Sequence, residues 1–408
     1  MEFIINYTSD TENNPDIADT ADTLDIADTV DIADTVVNTI DAGNNSIPTI
    51  ELSTKYIASD KIIGISDNLI SDRNIFAISS IMGGSTGLKK NENQDRFCYQ
   101  TVKRIKNNGS YEGKTVDEIK IVMVSDGHGT YGEIYADTLV KKFFDIIIAN
   151  LDKIIDTNDH VDHVFLKSLF VNFNRDEFYD KYKYSIGGST CTLIIDTNEF
   201  TICANIGDCD AHIKYEGSDK SIQLSKNQSL MNVDEVKRLY AIGRHINIRY
   251  TMRSFNRLTD KPEHRFAQEQ LVWIRNESGE ITFNDSRTQP RIFYNSAKKD
   301  VAMYIHNDNN EVKSNCARSF GDFRNEYVIA EPDVTVIYHE ITDGKNIPYK
   351  IITGSDGFFN CYTNEEFEQL CLLDPEAIIV HGIEQVDKTF GKKYADNTTT
   401  VVLNSSIN

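Results

Sequence analysis

Five aspartates in this sequence stand at the ends of apolar runs. A single Asp-Gly pair after a strand usually forms a turn, because Asp bonds its own backbone and Gly accepts a positive φ. Asn or Ser would turn the chain equally well, so an acid at every one of these positions indicates a shared chemical role. The five are Asp95, Asp126, Asp208, Asp356 and Asp396.

Gathered carboxylates with no cluster of thiolates or imidazoles suit Mg²⁺ or Mn²⁺, which prefer oxygen ligands and keep some bound water. Two such ions about 3.5–4 Å apart can hold a hydroxide in line with a phosphoryl group. His128 lies two residues after Asp126, between Gly127 and Gly129, and could protonate the leaving oxygen. The residue types therefore indicate metal-dependent phosphoryl chemistry.

The elements that must hold these aspartates are strands. Apolar runs of four to seven residues, bounded by Gly, Asp and Asn, are typical of buried strands. Strands crowd together over residues 190–215, which favours antiparallel hairpins over a regular βαβ alternation and predicts an α+β fold. The predicted strands are Ile119–Val124, Thr190–Ile195, Phe200–Ile206, Ala211–Tyr215, Ile351–Thr353 and Thr400–Leu403. The predicted helices are Glu133–Ile155, Phe165–Phe178, Val233–Ile242, Asn364–Leu372 and Glu376–Asp387.

The first 54 residues differ in composition from the rest. They hold twelve acids and no Lys or Arg, with Asp recurring every third residue from Asp16 to Asp34. Helical geometry would carry these carboxylates around the axis without basic partners. Such a low-complexity segment is typical of disorder, and its alternatives are an acidic docking tail or a weak cation-binding strip. We therefore predict a disordered acidic extension over 1–54 and a folded domain over 60–408.

Charge and composition exclude some functional classes. The chain of 408 residues has a formal net charge of −21, which disfavours nucleic acid or an anionic membrane as partner. No apolar run reaches the roughly 18 residues of a membrane span. Seven scattered cysteines indicate reduced thiols, and the N-terminus has no basic segment typical of a signal peptide. We expect a monomer inside the cell, in the cytoplasm.

Eight short motifs then occur in the order found in one enzyme family. The chain resembles the metal-dependent serine/threonine phosphatases of the protein phosphatase 2C type over roughly residues 75–403. The resemblance implies two packed antiparallel sheets flanked by helices. The motifs are Asn93-Gln94-Asp95, Asp126-Gly127-His128-Gly129, Gly188-Ser189-Thr190, Asn205-Ile206-Gly207-Asp208, Arg318-Ser319-Phe320-Gly321-Asp322, Ala330-Glu331-Pro332-Asp333, Ser355-Asp356-Gly357 and Asp396-Asn397.

The resemblance also implies roles for individual residues. Asp126 would bridge two Mn²⁺ or Mg²⁺ ions, and His128 would be the general acid. Asp356 and Asp396 would hold one ion, while Asp208, with Asp356, would support a weak third ion. The metal-binding set implied in this way is Gln94, Asp95, Asp126, Gly127, Asp208, Asp356 and Asp396.

The sequence departs from the family pattern at several positions. Gln94 stands where many members have Glu, and a neutral amide can still bond water. Lys90 falls where an Arg usually grips the phosphate, so the charge is kept and the bidentate fork is lost. Asn360 replaces an acid, which weakens a third metal site. We assign no consequence to Asn227 and Gln228, which replace an Asp-His pair.

The chain is longer than the family needs between Arg244 and Arg318. Within this insertion, at about 245–315, Leu271–Arg275 and Glu280–Phe283 flank Asn276-Glu277-Ser278-Gly279 in the manner of a hairpin. We therefore predict a flap beside the site.

Two functional hypotheses follow. The first is a phosphatase that hydrolyses phosphoserine and phosphothreonine in proteins. The second is a catalytically weak pseudophosphatase that binds phosphoproteins as a scaffold. The metal set separates them, because a decayed enzyme is expected to have lost at least one of Asp95, Asp126, Asp356 and Asp396, and all four are present. A phosphatase of small molecules stays open as a third reading.

Overall fold

The computed structural model describes two sets of residues. The larger comprises 54–59, 61–64, 68–72, 75–80, 92–107, 114–229, 232–242, 316–342, 344–390 and 396–405. Between 243 and 315 it describes only 250–252, 254–256, 261–263, 273–275, 278, 280–283, 301–303, 305–306 and 313–314. The predicted acidic extension lies outside these residues except for Thr54, so its disorder stays a prediction.

The elements follow in chain order. The first strands are β1 Thr54–Ala58, β2 Ile62–Gly64, β3 Asn68–Asp72, β4 Ile75–Ser80, β5 Asp95–Asn107 and β6 Lys114–Gly129. Next come the helices α1 Gly132–Thr138, α2 Phe144–Ala149, α3 Leu151–Ile154, α4 His163–Phe173 and α5 Asp180–Tyr182, with π-helical segments at Leu139–Phe143 and Asn174–Tyr179. Five strands follow: β7 Gly187–Ser189, β8 Cys191–Asp196, β9 Phe200–Ile206, β10 Asp210–Tyr215 and β11 Ile222–Gln223.

Helix α6, Val233–Ala241, precedes the predicted insertion. The insertion contains β12 Tyr250–Met252, β13 Ser254–Asn256, β14 Lys261–Glu263, β15 Trp273–Arg275, β16 Ile281–Phe283, β17 Val301–Met303, β18 Ile305–His306 and β19 Lys313–Ser314. The chain continues with β20 Phe320–Gly321, β21 Asp333–Tyr338, β22 Ile341–Thr342, β23 Lys345–Asn346 and β24 Tyr349–Gly354. It ends with α7 Asp356–Phe359, α8 Asn364–Leu370, α9 Pro375–Phe390 and β25 Thr398–Asn404.

Two antiparallel sheets form the centre of the folded body. The first has the strand order β1-β5-β6-β8-β9-β21, with β2 beside β5 and with β7 pairing with both β6 and β20. The second has the order β11-β10-β24-β25-β4-β3. The strands of both sheets pair antiparallel with their neighbours.

Side chains that alternate along the strands build three apolar layers. On β6, Val122 and Val124 face the second sheet and pack with residues such as Ile213 and Val401. Their neighbours Ile121 and Met123 face the opposite side, where they pack against α1, α2 and α4. The second sheet has its own outer layer, in which Ile352 and Val402 meet α7, α8 and α9. The order is helix, sheet, sheet, helix, and the predicted α+β fold of two packed sheets flanked by helices is confirmed.

The predicted helix over Glu133–Ile155 is wrong as a continuous element. The chain passes from α1 through a π-helical segment into α2, and then breaks at Asn150 before α3. The Asn150 side chain donates to the carbonyl of Ile146 at 2.8 Å, so it competes with the helical backbone at this point.

The hairpin predicted inside the insertion is confirmed, because Trp273–Arg275 pairs antiparallel with Ile281–Phe283. Its placement beside the site stays a prediction. All seven cysteines are buried and unbridged. No helix among the residues described above is long and apolar enough to cross a membrane.

Candidate active site

One edge of the sandwich collects the predicted aspartates, because each stands where a strand enters or leaves that edge. Asp95 begins β5 and lies directly opposite Asp126 near the end of β6. Asp208 follows β9 and Asp356 follows β24, separated from it by Ser355. Asp396 precedes β25, which runs antiparallel to β24. Antiparallel order therefore brings strand starts and strand ends together, and both sheets contribute acids.

Gln94 links the two sheets at this edge. Its backbone N–H donates to the Oδ1 atom of Asn397 at 3.1 Å, just ahead of β25. Its side-chain Nε2 donates to Glu133 Oε2 at 3.0 Å and to the carbonyl of Gly129 at 3.1 Å. A glutamate at position 94 would instead place a second carboxylate against Glu133. The amide therefore fits this environment better than the acid found in many relatives of the type that the sequence resembles.

Gly127 has no room for a side chain. A Cβ atom there would lie 2.2 Å from the carbonyl oxygen of Gly132 and 2.8 Å from that of Gln94. The Gly127 N–H donates to the same Gln94 carbonyl at 3.1 Å. Close backbone packing fixes the segment between Asp126 and His128, so both side chains project from a defined main chain.

The acids are close enough to perturb their neighbours. Burial raises the pKa of Asp208, and repulsion from Asp396 adds to the rise, while a hydrogen bond from Cys316 and attraction to His128 oppose it. Burial also raises the pKa of the Cys209 thiol, to which Asp126, Asp208 and Asp95 contribute. These effects place the aspartates of both sheets in one electrostatic neighbourhood.

The pKa of a second buried thiol, Cys316, is affected by acids of the same group. Its pKa is raised by burial and further by Asp208, Asp322 and Asp356. The site thus concentrates negative charge on carboxylates of which four are partly exposed and one, Asp95, is fully buried. A region of this kind favours cations or protons.

His128 contacts Asp322, an acid that belongs to one of the quoted motifs but received no role from the sequence. Its Nε2 atom lies 2.7 Å from Asp322 Oδ2, although 194 residues separate them in sequence. The His128 side chain is 29% exposed and that of Asp322 is 5% exposed. Burial alone would raise the pKa of Asp322, but the charge of His128 and hydrogen bonds from His128 and Ser319 lower it.

Gln228 is a second residue whose role the sequence did not indicate. Its side chain is fully buried, and its Oε1 accepts from the Gly207 N–H at 2.7 Å. Its Nε2 donates to the carbonyl of Asn205 and to Asp333 Oδ2, both at 3.1 Å. Gln228 therefore holds the turn that presents Asp208. The signal in the sequence was that Asn227 and Gln228 stand where the resemblance implies an Asp-His pair.

Both ends of the predicted insertion are tied together beside this turn. Glu235 of α6 is buried and accepts from Arg318 Nε at 2.8 Å and from Arg238 Nε at 2.9 Å. The Ala317 N–H donates to the carbonyl of Gln228 at 2.8 Å. The chain thus leaves and re-enters the folded body at neighbouring points.

Lys90, the predicted phosphate-binding residue, lies outside the described residues. Asn360, which replaces an acid, donates from Nδ2 to Asp356 Oδ2 at 3.2 Å. In the part of the chain that the structure describes, no three His, Cys, Asp or Glu side chains converge closely enough to form a complete metal-binding group.

Comparison with family models decides the relationship. The model described as "Protein phosphatase 2C" matches residues 85–260 and 299–374, more than half of the chain. The chain belongs to the protein phosphatase 2C family. Residues 261–298, which this phosphatase 2C model leaves unmatched, fall inside the predicted insertion at 245–315.

Solved structures similar to this phosphatase 2C chain include phosphatases from Toxoplasma gondii and Mycobacterium tuberculosis. A serine-threonine phosphatase 2C from Toxoplasma gondii is 14% identical, with 85% of this chain and 99% of that chain covered and a TM-score of 0.48. The Mycobacterium tuberculosis serine/threonine phosphatase PstP/Ppp is 14% identical, with 81% and 97% covered and a TM-score of 0.42. No curated protein sequence matches this chain significantly.

Proposed function

We propose that this chain is a metal-dependent phosphatase that hydrolyses phosphoserine and phosphothreonine in proteins. The observation that carries the proposal is the gathering of Asp95, Asp126, Asp208, Asp356 and Asp396 with His128 at one edge of a phosphatase 2C fold. An intact acid set with a neighbouring imidazole is what hydrolysis of a phosphate ester by water requires.

The donor set fits Mn²⁺ or Mg²⁺. The acids are oxygen donors, the nearby thiols are buried and protonated at neutral pH, and Gly127 offers a main-chain carbonyl. Asp126 would be shared between two ions. The remaining metal-binding residues would be Gln94, Asp95, Gly127, Asp356 and Asp396, with Asp208 at a weaker third ion. When bound, such ions would neutralise charge on the phosphate and acidify water.

The protein's own residues supply the other functions. Asp126 and its main chain are held by Thr190, whose N–H donates to the Asp126 carbonyl at 2.9 Å. His128 is partly exposed, so its ring can reach a bound substrate. Protonation of the leaving serine or threonine oxygen is the role that its position beside Asp126 supports. Lys90 would grip the phosphate as a point charge.

A second candidate function has one observation in its favour. Asn360 replaces an acid and donates from Nδ2 to Asp356 Oδ2 at 3.2 Å, so it uses an acceptor that a cation would need. The alternative of a catalytically weak pseudophosphatase that binds phosphoproteins as a scaffold fits such a weakened acid set.

The test is hydrolysis of a phosphothreonine peptide by the full chain with Mn²⁺, with Mg²⁺ and with chelator. We expect turnover only with metal, and loss of most of it in Asp356→Ala. The matched control is Asp219→Ala, which removes an exposed acid from the turn after β10. Peptide binding without turnover under all three conditions would support the scaffold, and equal turnover with chelator would refute metal dependence.

A further inference from the structure

We propose that Asp322 is a positioning residue that orients the His128 ring, so that Nδ1 faces the leaving oxygen of the substrate. This inference rests on the proposed phosphatase function and deepens it. The contact that carries it is the 2.7 Å separation between His128 Nε2 and Asp322 Oδ2.

Hydrogen bonds hold the Asp322 carboxylate and main chain in place. Ser319 Oγ donates to Asp322 Oδ2 at 2.6 Å. The Asp322 N–H donates to the carbonyl of Gly187 at 2.9 Å, and the Asp322 carbonyl accepts from the Asn325 N–H at 2.8 Å. An acceptor restrained in this way restricts the rotation of the imidazole that bonds to it.

The strands around Gly188 bring the two side chains together. On β7, Gly188 pairs with His128 of β6 on one side and with Gly321 of β20 on the other. A Cβ atom at Gly188 would lie 3.2 Å from Asp322 Oδ2 and 2.1 Å from the carbonyl oxygen of Phe320. A residue with a side chain at 188 would therefore obstruct the path from His128 to Asp322.

The backbone at Asp322 is also unusual. Its φ of +52° lies in the left-handed region, where Asp and Asn are tolerated better than most residues other than glycine. This conformation costs free energy, and such strain is retained where the surrounding structure requires it. Here the turn points the carboxylate toward β6 and away from solvent.

The pairing assigns the two ring nitrogens. Nε2–H donates to Asp322, so Nδ1 is the nitrogen that would carry the transferable proton. In the hydrolytic step a water oxygen forms a bond to phosphorus, and the bond from phosphorus to the serine or threonine oxygen breaks with its electron pair on that oxygen. The proton passes from His128 Nδ1 to that oxygen, and the imidazole becomes neutral. Its Nε2–H remains hydrogen-bonded to Asp322.

A double-mutant cycle tests this role with Asp322→Asn, His128→Ala and the combined variant. We expect Asp322→Asn to lower kcat on a phosphothreonine peptide by about 10–100-fold with little change in KM, as loss of a residue that orients an imidazole does. In the His128→Ala background the same change should have no further effect, because Asp322 acts through His128. An equal loss in both backgrounds would overturn the inference.

The matched control is Asp196→Asn, which alters a buried carboxylate 3.4 Å from another histidine, His339, at the far end of β8. It should affect stability and leave kcat unchanged. A loss of kcat as large as that of Asp322→Asn would mean that any buried acid has this effect, and would overturn the inference.

NMR of the His128 ring needs no turnover, so it tests the positioning role of Asp322 separately from the proposed phosphatase function. In ¹⁵N-histidine NMR of the full chain, the signals that vanish in His128→Ala should show a proton on Nε2 in the wild type and should shift in Asp322→Asn. A wild type with this signature and no metal-dependent turnover would contradict the proposed function only. A His128 with its neutral proton on Nδ1 would overturn the positioning role, whether or not the chain is active.

Discussion

Asp95 and Asp126 lie directly opposite each other on the adjacent antiparallel strands β5 and β6. Asp95 is fully buried, and like charges at directly opposed positions destabilise a sheet. The paired ends of β5 and β6 are therefore less stable than they would be with neutral residues. Bound cations would relieve this repulsion, so stability and metal binding should be coupled.

Replacing Asp95 by Asn should accordingly stabilise the metal-free protein. Removal of one charge of the pair should raise the free energy of unfolding by about 0.2–1 kcal/mol. Thermal denaturation in chelator measures it, and the same variant should gain less stability from added Mn²⁺ than the wild type. A lower melting temperature in chelator would show that Asp95 is needed for folding itself.

Replacing His128 by Ala should slow reactions according to the leaving group. A serine or threonine alkoxide needs a proton, whereas nitrophenolate departs near neutral pH with little help. We expect phosphopeptide hydrolysis to fall by roughly 10²–10⁴ and hydrolysis of para-nitrophenyl phosphate to fall much less. Steady-state kinetics on both substrates measures this difference. Equal losses would indicate that His128 binds substrate or places metal, and unchanged rates would remove it from the mechanism.

Replacing Gln228 by Ala should destabilise the turn that carries Asp208. The change leaves the buried Gly207 N–H without its side-chain acceptor, at a cost of about 1–3 kcal/mol in the free energy of unfolding. Denaturant unfolding measures this loss. Asn227→Ala changes the neighbouring exposed side chain and should cost clearly less. Equal effects of the two substitutions would argue against the bracing role of Gln228.

His212 should make the fold sensitive to acid. Burial between the rings of Phe359 and Phe367 lowers its pKa from 6.5 to about 4, although the charge of Glu368 acts in the opposite direction. Between these two pH values the unfolded chain binds a proton at this position that the folded chain does not. The stability of the fold with a neutral His212 is therefore fully present above about pH 6.5 and is lost as the pH falls toward 4.

Denaturant unfolding at pH 7 and pH 5 measures this contribution, with His212→Phe as the variant. Phenylalanine keeps a ring against Phe359 and Phe367 but cannot titrate, so stability should fall less between the two pH values. His160→Phe is the matched control, because the His160 side chain is 78% exposed. An unchanged pH dependence in His212→Phe would show that His212 is protonated in the folded protein.

The sequence predicts best where strands are uniformly apolar. Phe200–Ile206 is buried throughout and has the predicted bounds. Strand β5, Asp95–Asn107, was not predicted, because charged residues interrupt its apolar pattern. Arg104 is fully buried there and pairs with Asp117 at 3.0 Å and with Asp159 at 2.7 Å. Local sequence does not reveal that such a charge has partners elsewhere in the fold.

The same limit applies to the site. Acids next to apolar runs mark the edge where strands end, and their motifs indicate the family. The pairing of His128 with Asp322 and the contacts of Gln228 depend on how distant segments meet around β7 and β9. No periodicity or spacing encodes these contacts, so the positioning residues emerge only from the fold.

The hydrogen bonds from Arg238 and Arg318 to Glu235 join the two ends of the predicted insertion. A loop whose ends are already joined adds little entropic cost as it lengthens, since each doubling costs only about 0.6 kcal/mol. The segment between these residues could be shortened, extended or exchanged while the sandwich keeps its own stability. Selection could therefore alter this segment without altering the acids of the site, and an engineer could graft a recognition module at the same two points.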